Sequence, residues 1–262
     1  MNPAGMNAAG MNAAGMNAAG MNIDDLPAVG LAETVLLADL QTRTDRKYLV
    51  SPAVVSQLVD EVNLSALEIG GTRRFRYQSI YFDTPDLASF HGAALGRRKR
   101  FKVRTRGYLD ANEVVLEVKR RGRRGQTVKD RLPVTEQGIL LADGLVFIEP
   151  LVGRLQLEAT VETTYTRTTL VDLEAPFRVA VDTAVSARDL SSGAQVSVGN
   201  LLVVETKSAG PPTTVDRWMW AHGHRPVRFS KYCTSLAALR PELPSNRWHR
   251  AIDRYMADYQ AA

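Results

Sequence analysis

The chain has 262 residues, 45% of them hydrophobic and 23% charged, with a net charge of +5 and one cysteine. That is enough for one large domain with a real core, and Cys233 alone excludes an intrachain disulfide. No run of about 20 apolar residues could span a bilayer. The start also lacks the basic and apolar regions of a secretory leader, so a cytoplasmic protein is expected. The positive balance favours acidic partners without choosing among nucleic acid, anionic lipid and polyphosphates.

The first residues form a five-residue tandem repeat, MNPAG followed by MNAAG units. It has no charge and too little apolar surface to offset the entropy of ordering, and its period is too short for a solenoid. Either it is a disordered tail or translation begins downstream, at Met21. Residues 1–30 are expected as this tail, 31–242 as the domain and 243–262 as an amphipathic C-terminal helix packed on it.

Gln41 to Val50 reads as a strand with Arg43, Asp45 and Lys47 on one face. Ser51-Pro52 reads as a helix start, followed by an apolar stripe through Val55, Leu58, Val59 and Val62. Arg76 to Phe82 is a strand ended by the turn cluster Asp83-Thr84-Pro85-Asp86. Two longer strands, Arg98 to Tyr108 and Glu113 to Arg120, precede a return strand from Thr127 to Pro133. A short helix is expected over Glu136 to Ala142. Thr160 to Asp172 pairs with Phe177 to Thr183 across Glu174-Ala175-Pro176, and Leu201 to Ser208 is a further strand. Thr213 with Asp216 forms a capping box opening a helix through Trp218 and Trp220. Ser230 caps a helix running to Leu239. From Ser245, Trp248, Ile252, Tyr255 and Tyr259 share one helical face.

The chemistry lies in the alternation. Arg98, Arg100, Lys102, Arg104 and Arg106 occupy every second position of a strand and so project from one face. Asp45-x-Lys47, Glu117-x-Lys119 and Glu205-x-Lys207 repeat an acid two positions before a lysine on three strands. Lys129 with Arg131, Tyr165 with Arg167, and Arg178 with Asp182 likewise each share one face of their strand. A single such pair is an ordinary solvated face. Repetition on so many strands leaves two arrangements open: a sheet with a solvated charged face, or a sheet closed on itself around a charged lumen. A lumen of cations and carboxylates suits a phosphate chain and a hard divalent cation.

In chain order the motifs are Arg43-x-x-x-Lys47-Tyr48, Ser79-Ile80-Tyr81-Phe82-Asp83-Thr84, Arg104-Thr105-Arg106-Gly107-Tyr108 and Leu116-Glu117-Val118-Lys119. Val128-Lys129-Asp130-Arg131, Tyr165-Thr166-Arg167 and Arg178 with Val181-Asp182-Thr183 follow. Val204-Glu205-Thr206-Lys207 and Arg228-Phe229-Ser230-Lys231-Tyr232 complete the series. Together, over about Arg43 to Leu239, they resemble the vacuolar transporter chaperone (VTC) domain. This is the polyphosphate polymerase branch of the triphosphate tunnel metalloenzymes, a CYTH-like superfamily.

The resemblance implies an α+β fold, a closed antiparallel β-barrel with a charged lumen and peripheral helices. It implies an enzyme that transfers the ATP γ-phosphate to a growing polyphosphate chain with Mn²⁺ or Mg²⁺. Lys47, Arg104, Arg106, Lys119, Arg167 and Arg178 are the implied catalytic cations. Lys129, Arg131, Arg228, Ser230 and Lys231 are the implied phosphate contacts, Arg228 standing where the family has Lys. Glu205 is the implied metal ligand, with Glu117 as a second. The wider superfamily's hydrolases carry Glu-x-Glu-x-Lys on the first strand, where this chain has Arg43-x-Asp45-x-Lys47, which favours the polymerase branch. A hydrolase of tripolyphosphate or nucleoside triphosphates in the same tunnel, and a non-catalytic polyphosphate-binding module, are the alternatives.

ATP and polyphosphate are the expected partners, with no nucleic acid and no membrane span in the chain. A separate membrane partner would be needed to export product, and the oligomeric state is left open. Cys233 reads as a small buried hydrophobe rather than a nucleophile, and His222-x-His224 as a helix-end feature rather than a metal site. The loop Arg120 to Arg124 lacks interleaved aromatic residues for base stacking and reads as a basic lid at the tunnel mouth.

Overall fold

The computed structural model describes residues 22–37, 44–122 and 127–256. The five-residue repeat, Arg43, Arg123, Arg124 and Tyr259 lie outside them. Alternation in the sequence becomes one sheet of eleven strands among the described residues. Its main path joins, in order, β2 (Thr44–Val50), β11 (Leu202–Ser208), β9 (Phe177–Asp189), β8 (Glu158–Val171), β4 (Phe75–Asp83), β5 (Phe101–Tyr108), β6 (Glu113–Arg121) and β7 (Thr127–Val134). Every pairing along this path is antiparallel. Short strands β1 (Ala28–Val29), β3 (Ser65–Leu67) and β10 (Gln195–Ser197) pair off the path.

The sheet curls but its ladder does not close. Lys119 on β6 forms an ion pair with Asp45 on β2 at 3.5 Å. On a flat sheet the six inter-strand steps between them would span roughly 29 Å. Yet no ladder joins β2 to β7 among the described residues. The expected closed barrel is therefore a half-barrel whose ends approach through side chains. The connection after residue 221 helps cover the β2 edge, where the Val227 N–H donates to the Lys47 carbonyl at 2.7 Å.

Alternation also sorts the two faces. On the outer face Tyr48, Val50, Val179, Val181, Leu202 and Val204 pack against α2 (Pro52–Glu61) and α5 (Thr214–Ala221). Further round, Phe82, Val103, Leu116 and Val118 pack against Ile148 of α4 (Ala142–Val152). On the inner face one end is apolar: Leu49, Val203 and Tyr81 meet Phe90 of α3 (Ala88–Ala94), Leu236 of α6 (Cys233–Leu239) and Trp248. Trp248 directly precedes α7 (His249–Tyr255). Residues on the same strands, Asp45 and Lys47 before Leu49, Glu205 and Lys207 after Val203, continue that face as charge. The inner surface thus has an apolar plug and a charged remainder.

Several expectations are corrected. The domain begins before residue 31, because Ile23 is fully buried and Ala28–Val29 pairs with β3. Arg98 and Arg100 precede β5 rather than belonging to it. The helix expected over Glu136 to Ala142 is a loop, where Gly138 at φ 79° packs so closely on Ile80 that a Cβ would come within 2.7 Å. The helix begins only at Ala142, where the expected one was to end. Ser51 precedes α2 as expected but makes no side-chain capping bond.

The capping box at Thr213 is present and has a wider role. Asp216, fully buried, accepts from Thr213 N and Oγ1, from Tyr48 Oη at 2.6 Å and from Thr206 Oγ1 at 2.7 Å. It therefore ties α5 to β2 and β11. Asp216→Asn should cost about 2 kcal/mol, because at least one of these buried donors loses its acceptor. Urea melts that leave the midpoint unchanged would show that the node adds nothing.

Candidate functional site

The register brings the predicted residues onto one row across the inner face. Glu205 lies opposite Lys47, and Lys207 opposite both Asp45 and Arg178. Asp182 lies opposite Arg167, Ser79 opposite Arg106, Tyr81 opposite Arg104 and Lys102 opposite Lys119. Arg104 faces Glu117, which faces Arg131 on β7, and Lys119 faces Lys129. Lys47, Lys102, Arg104, Arg106, Lys119, Lys129, Arg131, Arg167, Arg178 and Lys207 thus share a surface with Asp45, Glu117, Asp182 and Glu205. Cations outnumber carboxylates by more than two to one on this row.

Each carboxylate is wrapped in cations. Glu117 is 2% exposed and forms ion pairs with Arg104, Arg106 at 3.7 Å, Lys129 at 3.3 Å and Arg131 at 3.0 Å. Burial alone would raise its carboxyl, but these four cations hold it far below the usual carboxylate range. Asp182 binds the Arg167 guanidinium through both oxygens, at 2.6 and 2.8 Å, and also the Lys231 ammonium. Burial again opposes ionisation and Arg167 with Lys231 overcomes it. Glu205 accepts from Lys47 and, at 2.9 Å, pairs with Lys207.

The lysines show the opposite imbalance. Burial pushes Lys207 down to about 7, with Glu205 opposing and Arg167 adding to the fall. Burial likewise brings Lys129 down to about 8, opposed by Glu117 and assisted by Arg131 and Arg106. Lys119 also falls to about 8, through burial first, opposed by Asp45 and assisted by Lys47. Its side chain keeps 42% of its surface exposed, so water moderates the effect there more than at Lys207, which keeps 9%.

Aromatic rings support these cations. Tyr77 and Tyr165 stack with centroids 5.2 Å apart. The Arg167 guanidinium lies over both rings, Arg106 over Tyr77, Arg104 over Tyr81 and the Lys231 ammonium 4.3 Å from the Tyr165 centroid. Tyr77 and Tyr81 alternate with Ser79 on β4, a period-two signal legible beforehand. Beside them Arg106 Nε, Ser79 Oγ, Thr163 Oγ1 and Tyr165 Oη are buried with no hydrogen-bond partner among the described residues. Such orphaned groups are costly to keep dry.

The remaining predicted contacts divide. Ser230 accepts from Lys102 Nζ at 2.7 Å and from the Cys233 N–H at 3.1 Å, fixing the approach to α6 against β5. Lys231 reaches β9 through Asp182. Arg228 is exposed and makes no ion pair among the described residues, so the structure does not bring it into the row. Cys233 is fully buried, as expected. His222 stacks on Trp218 at the end of α5, and no group of three potential ligands suits a metal ion among the described residues. No helix there is long and apolar enough to cross a membrane.

A curled antiparallel sheet with an inner row of surplus cations defines the candidate site as a cation-lined half-barrel. The chain belongs to the VTC domain family, whose sequence profile matches residues 42–143 and 145–240. No curated protein matches by sequence. Among solved structures, one similar protein is from Hippeastrum, described as a putative adenylyl cyclase with a dominant triphosphatase activity. It is 14% identical with a TM-score of 0.46, over 79% of this chain and 99% of that one. A conserved hypothetical protein from Pyrococcus furiosus is 11% identical with a TM-score of 0.39, over 70% and 88% of the two chains.

Proposed function

We propose that the inner face holds a triphosphate or polyphosphate chain and transfers the γ-phosphoryl group of ATP to inorganic polyphosphate. The cation surplus supports this reading most directly: three lysines are pushed below their ordinary range by burial and by neighbouring positive charge. Membership of the VTC family supports the polymerase in particular. In the transfer the bond from the γ-phosphorus to its bridging oxygen breaks, leaving ADP. A bond from that phosphorus to a terminal oxygen of the acceptor chain forms, in line with the departing one.

The residues would divide the work by position. Arg104, Arg167 and Lys47 are held by hydrogen-bonded partners and so are pre-aimed, which favours the transition state without reorganisation, while buried Arg106 keeps an unpaired Nε. Arg178 and Lys207 extend this set along β9 and β11. Lys119, Lys129 and Arg131 are more accessible and suit the acceptor chain. Lys231 and Ser230 fix the inner boundary of the row.

The described residues build no divalent-cation cage, and Glu117, enclosed by four cations, does not suit a ligand role. Glu205 does fit as a single hard donor, since Mg²⁺ is commonly held by one or two carboxylates together with substrate phosphates. A Mn²⁺ or Mg²⁺ ion there would neutralise charge developing on the phosphate oxygens.

Incubating the pure protein with ATP and Mn²⁺ or Mg²⁺ and resolving the products tests the reading. Long-chain polyphosphate supports it. Free phosphate without polymer indicates the hydrolase, and binding without turnover indicates a binding module.

A linked result concerns protons. A bound phosphate chain should raise Lys207, Lys119 and Lys129 from 7–8 towards their ordinary range. Binding of tripolyphosphate at pH 8 should therefore take up protons, measurable by calorimetry in buffers of different ionisation enthalpy. The ligand's own titration would release them. Release equal to the ligand's own, with no offsetting uptake, would contradict the lysine assignment.

A further inference from the structure

Outside the inner row lies a second basic cluster that the proposed chemistry does not use. Arg97, Arg98 and Lys99 are exposed on the turn between α3 and β5, and Arg121 is exposed at the end of β6. Arg100 joins them, with its guanidinium donating to the Arg97 carbonyl at 3.1 Å. Arg247, from the segment before α7, packs against the same turn. A Cβ placed on Gly96, itself at φ 68°, would come within 2.4 Å of Arg247 Nη1. Partial burial, then Arg121 and Arg247, lower the Arg100 pKa, so the three guanidiniums feel one another. None of Arg97, Arg98, Lys99, Arg100, Arg121 and Arg247 forms an ion pair among the described residues. Clustered cations without counter-charge repel one another unless an anion lies across them.

The cluster is continuous with the inner row. Lys102 pairs with Lys119 in the ladder, and the Arg121 N–H donates to the Arg100 carbonyl at 3.3 Å, two pairs further on. By strand alternation Arg121, the last residue of β6, lies on the side of Lys119. Lys119 and Arg121 are both accessible to solvent, so the basic path leads from the curl to the outside along β6 without crossing the apolar plug.

We propose that Arg100, Arg121, Arg247 and the Arg97–Lys99 turn form an exterior track for inorganic polyphosphate, holding the part of a chain that extends beyond the inner face. This rests on the phosphate-binding reading of that face. A polyphosphate chain fits better than nucleic acid because no aromatic residue interrupts Arg97 to Arg100 for base stacking. It fits better than a lipid surface because Leu95 is the only large exposed apolar side chain recorded within that turn.

The test compares long-chain polyphosphate with tripolyphosphate, titrated at several salt concentrations into the full chain and into the combined variant Arg98→Gln, Lys99→Gln, Arg121→Gln, Arg247→Gln. The variant should lose roughly tenfold or more in affinity for the long chain, with a shallower salt dependence, because fewer counterions are released. Its tripolyphosphate affinity should stay within about twofold of the parent, since no inner-row cation is altered. Unchanged long-chain affinity would overturn the track, as would equal losses for both ligands. Vesicles of phosphatidylglycerol, or single-stranded DNA, responding to the variant while polyphosphate does not would overturn it in favour of those partners. If the parent chain fails to bind tripolyphosphate, the inner-face reading fails separately, and the long-chain comparison still reports on the cluster.

Discussion

Glu117→Gln is expected to lower stability by about 3–5 kcal/mol, the scale for removing one member of a buried ionic group. Arg104, Arg106, Lys129 and Arg131 converge on this carboxylate, and the amide would leave their charges facing one another. The effect has a defined pH dependence. The folded-state pKa of Glu117 lies far below its unfolded value. Its stabilisation is therefore complete above the ordinary Glu range and is lost as pH falls below it. The gap between parent and variant should be full at neutral pH and narrow in acid. Added tripolyphosphate should recover part of the loss by supplying the missing negative charge. Urea titrations of both proteins read all of this, and a loss below about 1 kcal/mol would mean that water already solvates those cations.

The second large effect is on turnover. Glu205→Gln should abolish metal-dependent phosphoryl transfer, because a hard cation needs the ionised carboxylate and the amide keeps only its shape. Anion binding without metal should persist or tighten, since Lys47 and Lys207 are released from their shared partner. Both are measurable, by ATP turnover with Mn²⁺ and by metal-free titration of tripolyphosphate. A variant as active as the parent would remove Glu205 from the site.

Much of the sheet was legible because its two faces differ so sharply in charge. β2, β5, β6, β7 and β11 follow period-two patterns in which apolar residues share one face and charged residues the other. Helix α4 was missed because its ADGLVFIEPLV sequence is apolar on most sides and carries Pro150, so no amphipathic stripe marks it. β1 and β3 are too short for a pattern and exist through pairing with distant residues.

The site was legible as a list of cations but not as a network. Nothing local tells that Glu117 is enclosed by residues of β5 and β7, or that Asp182 joins Arg167 to Lys231. Those partners depend on register between strands. For the same reason alternation left a solvated face and a closed lumen both open, and the closed barrel came from the family resemblance: alternation shows that one face is charged but not whether the last strand meets the first.

The central claim is that a phosphate chain lies on the inner row, and Arg106 is its sharpest probe. Arg106 is buried, its Nε has no hydrogen-bond partner among the described residues, and it faces Ser79, whose hydroxyl is equally unpaired. Calorimetric titration of metal-free tripolyphosphate should show Arg106→Ala weakening binding by about 1.5–3 kcal/mol, the scale of a charge-assisted hydrogen bond. Lys99→Ala, outside the curl, should leave it unchanged. Equal small losses at both positions would show a diffuse basic surface and contradict the account.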